Sequence, residues 1–128
     1  MPTELLTMTI RILKESSTEP EHYFVAEEKL IAGNPRQTVW MQYTDPTSKF
    51  FAGTWASDIG KWKIRYTEEE ECLMLEGTCV VTDTQGHAVT LTQGDRFVIP
   101  RGFEGTWEVV TPAKKTFVVY EPGETVQP

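Results

Sequence analysis

Residues 94–107 (GDRFVIPRGFEGTW) constrain the fold of this chain more than any other stretch. Gly94-Asp95 is turn chemistry, and Phe97, Val98 and Ile99 form a β-favouring apolar run that reads as a short buried strand. Pro100 ends that run, because a proline nitrogen has no hydrogen to give a sheet ladder. Gly102 permits a bend that a Cβ would hinder. Phe103 and Trp107 then place large apolar surface on either side of Gly105. Turn, strand, corner and second strand follow one another too closely for a helix, so the stretch commits its surroundings to a sheet.

The rest of the chain repeats this grammar. Residues 61–67 (KWKIRYT) alternate cleanly, with Trp62, Ile64 and Tyr66 on one face and Lys61, Lys63 and Arg65 on the other, the signature of a half-buried strand. Residues 37–43 (QTVWMQY) and 49–55 (KFFAGTW) are rich in β-formers. Residues 8–13 (MTIRIL) alternate enough to suggest a strand, while 21–30 fit either a short strand or a helical turn. Residues 68–71 read as an acidic corner. Residues 72–76 (CLMLE) are apolar on both faces, Gly77 interrupts, and 78–82 (TCVVT) resume. Asp83-Thr84-Gln85-Gly86 is a hairpin loop with Gly86 placed for positive φ. His87 sits beside it and reads as exposed, and His22 reads as a surface residue. Residues 112–113 read as a turn before a last strand at 115–121. About nine or ten short strands at even spacing, without a long amphipathic helix or a repeat, indicate an all-β sandwich or barrel.

With 128 residues the chain fits a single domain over 1–128, with its core at 37–121 and peripheral ends at 1–20 and 122–128. The net charge of −7 argues against nucleic acid and against an anionic membrane surface, both of which need a basic face. No apolar run reaches the length of a membrane span, and the N-terminal residues lack a basic start with an apolar core. The expectation is a cytoplasmic protein with two reduced thiols, Cys72 and Cys79, rather than a disulfide. Their odd separation puts them on opposite faces of a strand unless a bulge intervenes.

Parity also assigns an interior. If Glu70 faces inward, so do Cys72 and Met74. If Gly105 does, so do Trp107 and Val109. Trp62, Ile64 and Tyr66 form a third row, and Lys115, Phe117 and Val119 a fourth. The expected interior is an aromatic cup with isolated polar heads at Tyr66, Glu70 and Lys115, and it makes a small-molecule pocket. Its ligand-binding candidates are Trp55, Trp62, Tyr66, Glu70, Cys72 and Trp107. Glu70 and Lys115, if paired, form a buried ion pair. Tyr66 and Glu70 could instead bond to each other.

Residues 94–102 carry Gly, five residues, Pro, one residue, Gly, which resembles the second motif of the cupin superfamily. Residues 51–120 resemble the small single-domain cupins grouped with the ureidoglycine aminohydrolase cupin domain, with ethanolamine-utilisation cupins as more distant relatives. The phrases that carry this are Ala52-Gly53-Thr54-Trp55, residues 61–66, residues 70–77, residues 94–109, and Lys115. The resemblance implies an RmlC-like cupin jelly-roll β-barrel, and a homodimer.

In metal-binding cupins the first motif supplies two His and a Glu six residues before a Gly, and the second supplies another His. Here Glu70 holds the Glu position before Gly77. The His positions fall on Ile64 and Tyr66, or on Lys63 and Arg65, and Gly105 takes the last. The residues therefore imply no metal ligand set, with at most a weak or non-standard metal at Glu70. The leading expectation is a metal-free binder of a small-molecule ligand. The alternative is an enzyme of aminohydrolase, isomerase or epimerase type, with Glu70 as base and Tyr66 or Lys115 as acid.

Overall fold

Two strands are long enough to serve two layers at once. The computed structural model describes residues 9–123. Its strands are β1 (Glu21–Phe24), β2 (Leu30–Gly33), β3 (Arg36–Thr44), β4 (Phe50–Ser57), β5 (Gly60–Arg65), β6 (Glu69–Asp83), β7 (Ala88–Leu91), β8 (Arg96–Ile99) and β9 (Glu104–Tyr120). β6 and β9 pair antiparallel from Glu69↔Tyr120 to Asp83↔Gly105. Their two halves lie in different layers. β1, β3, β4, the second half of β9, the first half of β6 and β8 make one. β2, β5, the other halves of β9 and β6, and β7 make the second. The result is one nine-stranded antiparallel sheet curled on itself, the all-β jelly roll expected of the sequence.

The corner lies at Gly77 and Pro112. The register of β6 against β9 shifts repeatedly between Met74 and Cys79. β9 spends one more residue than β6 in crossing it. The inward set of β6 therefore changes from Glu70, Cys72 and Met74 to Cys79 and Val81, all buried. β9 keeps one parity through Trp107, Val109, Ala113, Lys115, Phe117 and Val119. The bulged corner thus brings Cys72 and Cys79 into the same core, as free thiols. Gly77 neither ends a strand nor starts one; it sits at φ 82° inside β6. Pro112 likewise does not turn the chain back, because at an exposed corner its missing N–H leaves no ladder bond unmade.

Other sequence expectations change for similar reasons. Of the strand expected at 8–13, Met8 lies outside the described residues. Residues 9–14 enter no strand, with Ile10 and Ile12 at 94% and 74% exposure. Alternation makes a strand only where a ladder partner is offered. Residues 21–30 contain both readings, β1 followed by a 3-10 turn over Glu27–Lys29. β8 is less buried than its composition suggests, with Val98 57% exposed, because it pairs only with β6 at the sheet margin. The Asp83 hairpin is as expected. Its carboxylate accepts the N–H of Gln85 (2.8 Å) and of His87 (2.9 Å), and His87 is exposed. His22 is also exposed, its Nδ1 2.9 Å from Thr38 Oγ1.

The tightness of the corner is testable. A Cβ on Gly77 would lie 2.7 Å from Ala113 Cα and closer still to the Pro112 carbonyl oxygen, whereas at Gly86, φ 88°, nothing lies within 4 Å. Gly77→Ala should cost about 3 kcal/mol, and Gly86→Ala only about 1 kcal/mol for its left-handed backbone. Urea midpoints measure both, and equal losses would contradict a close crossing of β6 and β9.

Candidate functional site

Between the layers lies a cavity of about 360 Å³. Inward-facing residues of five strands build most of its wall. β5 supplies Trp62 and Ile64, with Tyr66 just beyond its end; β6 supplies Glu70; β9 supplies Trp107, Lys115, Phe117 and Val119. β4 contributes Trp55 and Phe51, and β3 contributes Gln37, Val39 and Met41. Tyr23, Met41 and Glu68, the more exposed members, stand toward solvent. Trp55, Trp62, Tyr66, Glu70 and Trp107, expected to bind ligand, therefore share one cavity, and Lys115 joins them. Cys72 is fully buried in the core beneath it and does not line it.

Lys115 and Glu70 are both buried, and Lys115 Nζ lies 3.2 Å from Glu70 Oε2. The ammonium also sits 4.3 Å from the centre of the Trp107 ring and 5.0 Å from that of Trp55. These two indoles meet edge to face, 5.7 Å apart. Quadrupole attraction from both rings and the carboxylate charge thus replace the water that Lys115 gave up. Glu70 Oε2 also accepts from Cys72 Sγ at 3.3 Å. The Tyr66–Glu70 hydrogen bond entertained from the sequence is not made, and Lys115 takes that place.

The lysine, the phenol and the two thiols are displaced from their ordinary ranges. Burial works against the Lys115 charge, but the Glu70 carboxylate and then the Tyr66 and Cys72 side chains oppose it, and the net displacement is upward. The ammonium therefore stays protonated. Burial pushes the Tyr66 phenol well above its ordinary range, against the pull of Lys115. It also raises the Cys72 thiol to about 12 and the Cys79 thiol to about 11, again against Lys115.

Several polar atoms around the cavity remain available. Among the described residues both side-chain contacts of Glu70 fall on Oε2 and none on Oε1. Trp55 Nε1 donates to Gln37 Oε1 at 2.8 Å, leaving the Gln37 amide hydrogens uncommitted among the described residues. Neither Glu70 Oε1, the Gln37 amide nitrogen nor the Tyr66 hydroxyl is a sealed, unsatisfied atom, so they keep access to the cavity. Trp107 Nε1 is sealed, with no conventional partner and only a weak influence on the Cys79 thiol. The cavity thus offers a fixed cation, a phenol, an amide donor and a carboxylate oxygen on aromatic walls.

Gly105 does not belong to this wall. A Cβ there would meet the Thr82 carbonyl carbon at 2.9 Å and Asp83 Cα at 3.0 Å, so it faces the β6 backbone, and a side chain would force β6 and β9 apart. His22 and His87 are not among the cavity residues. The donor set does not fit a transition metal: of the two cavity carboxylates, Glu70 is paired with a fixed ammonium and Glu68 stands apart toward solvent, and among the described residues no three His, Cys, Asp or Glu side chains gather.

Sequence reasoning missed Gln37, Val39, Met41 and Phe51, although the same alternation would have found the first three as one row of β3 and Phe51 in a row with Trp55. Tyr23 had no such signal because β1 is only four residues long, and Glu68 had none because it lies in the bend before β6.

This architecture is that of a cupin, a small β-barrel with its site between two layers. The chain belongs to the EutQ-like cupin domain family, which it matches over residues 44–117, more than half its length. Its fold is similar to that of a protein of unknown function from Pseudomonas syringae (TM-score 0.74, 19% identity, 84% of this chain and 46% of that one). It thus spans about half the length of that neighbour. The EutQ protein of Clostridium difficile (TM-score 0.62, 17% identity, 80% of this chain and 82% of that one) has a similar fold. So does a predicted oxalate decarboxylase of Thermotoga maritima (TM-score 0.66, 16% identity, 86% and 98%). No curated protein matches the sequence. No helix among the described residues is long and apolar enough to cross a membrane.

Two outcomes follow from the buried charges. Lys115→Met strands Glu70 in the core and should cost about 3–5 kcal/mol, whereas Lys115→Met combined with Glu70→Gln should recover much of it. A double-mutant cycle in urea measures this, and strictly additive losses would refute the coupling. Raised thiols contribute stability that is complete below their unfolded value of 9.0 and lost as pH climbs through 11 and 12. Stability should therefore fall steadily above pH 9. Native protein should resist a thiol reagent until denaturant is added.

Proposed function

We propose that this chain is a metal-independent cupin that binds a small polar molecule inside its barrel. The observation that carries the reading is the Lys115–Glu70 pair. Its ammonium is held by two indole faces, and its carboxylate has one oxygen free of side-chain contacts among the described residues. A ligand with an acceptor for Lys115 and a donor for Glu70 Oε1 would complete both groups, with Tyr66 and Gln37 fixing its orientation. The cavity volume suits a compact metabolite rather than a polymer. As in the family resemblance drawn from residues 51–120, the protein acts as a homodimer of the kind grouped with the ureidoglycine aminohydrolase cupins.

The alternative, acid–base catalysis by Glu70 with Tyr66 or Lys115, draws on the same free oxygen. Tyr66 and Lys115 hold their protons too firmly to be efficient acids near neutral pH, which is why binding is preferred.

A metabolite screen read by melting temperature and by tryptophan fluorescence tests both, since Trp55, Trp62 and Trp107 line the cavity. Any ligand found should bind about tenfold more weakly to Glu70→Gln, and chelator dialysis should leave the melting temperature unchanged. Equal binding to wild type and Glu70→Gln would sink the proposal, as would a stoichiometric transition metal in the purified protein. Turnover by wild type alone would establish the catalytic alternative.

A further inference from the structure

A second recess adjoins the cavity beside β5, and its lining has a charge of its own. β2 pairs with β5 only as far as Leu30↔Trp62, while β5 continues to Arg65. β1 pairs only with β3. The margin of β5 at 63–65 is thus left without a ladder partner on the side facing the 23–29 segment. Tyr66 N and O are bonded to Phe103 and Gly102.

The recess, of about 450 Å³, occupies this gap. It shares Tyr23, Gln37, Trp62, Ile64, Tyr66 and Glu68 with the inner cavity, so the two adjoin across these residues. What it adds is basic: Lys29 at the end of the 3-10 turn, and Lys63 and Arg65 on β5. Arg65 has Glu104 at 3.4 Å, while Lys29 and Lys63 enter no ion pair among the described residues. The single acid lining the recess is Glu68, whose Oε1 is engaged by the Thr67 N–H and hydroxyl. The lining of this recess thus carries three basic side chains against one acid, in a chain whose net charge is −7, while Asp83 and Glu104 line the neighbouring groove that Lys29 and Lys63 also border.

We infer that the ligand has two parts: a compact uncharged polar head that enters the cavity, and an anionic arm, carboxylate or phosphate, that passes between the 23–29 segment and β5 to Lys29 and Lys63. The inference rests on the binding reading above and adds the class of molecule bound. An inner site whose charges already cancel gains nothing from an anion, so the anion's place is outside it. There, two exposed ammonium groups attract it without the cost of burial.

Three probes of matched shape test this by tryptophan quenching: benzamide, its N-carboxymethyl derivative hippurate, and O-phosphoryl N-(2-hydroxyethyl)benzamide. Hippurate and the phosphate should bind about fivefold or more tighter than benzamide at low salt. That gain should vanish in Lys29→Gln/Lys63→Gln and in 0.5 M salt, and the larger of the two gains identifies the anion. Glu70→Gln should weaken all three probes alike. Benzamide binding with no gain from either anionic arm, or a gain indifferent to the double substitution, would overturn the inference and leave the binding reading standing. Failure of all three probes to bind would overturn both.

Discussion

The antiparallel pairing of β6 with β9 is the constraint from which the rest of the molecule follows. Each strand is too long for one layer, so the pair must bend, and it bends where Gly77 passes against Pro112 and Ala113. Bending creates the second layer, and the shorter strands then add to the margins of the two halves. The same register sets Met74 opposite Lys115 and Val81 opposite Trp107. Because β9 keeps its parity through the corner and β6 does not, both ends of β6 present their side chains to one interior. A uniform ladder would have turned half of that interior out to solvent.

Placing an ammonium and a carboxylate in that interior is energetically expensive, and nothing in jelly-roll packing demands it. A pair of apolar residues of similar size would serve the barrel as well or better. The pair persists with an unusually full set of partners, two indoles on the cation and a thiol on the anion, yet leaves Glu70 Oε1 open. A rigid site with one unmet acceptor is what recognition requires, since the groups are already oriented before a ligand arrives. The aromatic walls exclude water and strengthen each polar contact made there.

Much of this interior was legible in advance. The rows Trp62/Ile64/Tyr66, Glu70/Cys72/Met74 and Lys115/Phe117/Val119 were assigned by period-two parity, and all of them face inward. What parity could not supply was the partner of each charge. Tyr66 lies nearer Glu70 in sequence, but Lys115 reaches it, because β9 runs directly beside β6. Residues 9–13 show the opposite failure: an adequate strand pattern that enters no strand. Gly105 was read as a vacant ligand position, and its neighbours show a place where the β6 backbone admits no side chain.

The sequence by itself determined the fold class, the rows within each short strand and the residues at the expected ligand positions, because alternation, turn residues and residue identity are local properties. Only the tertiary structure decided which charges meet, that Cys72 and Cys79 share a core, and that a recess bordered by Lys29 and Lys63 adjoins the cavity beside β5. Those outcomes depend on register between strands distant in the chain. The shifted register around Gly77, for one, is what brings Cys79 into the core that holds Cys72.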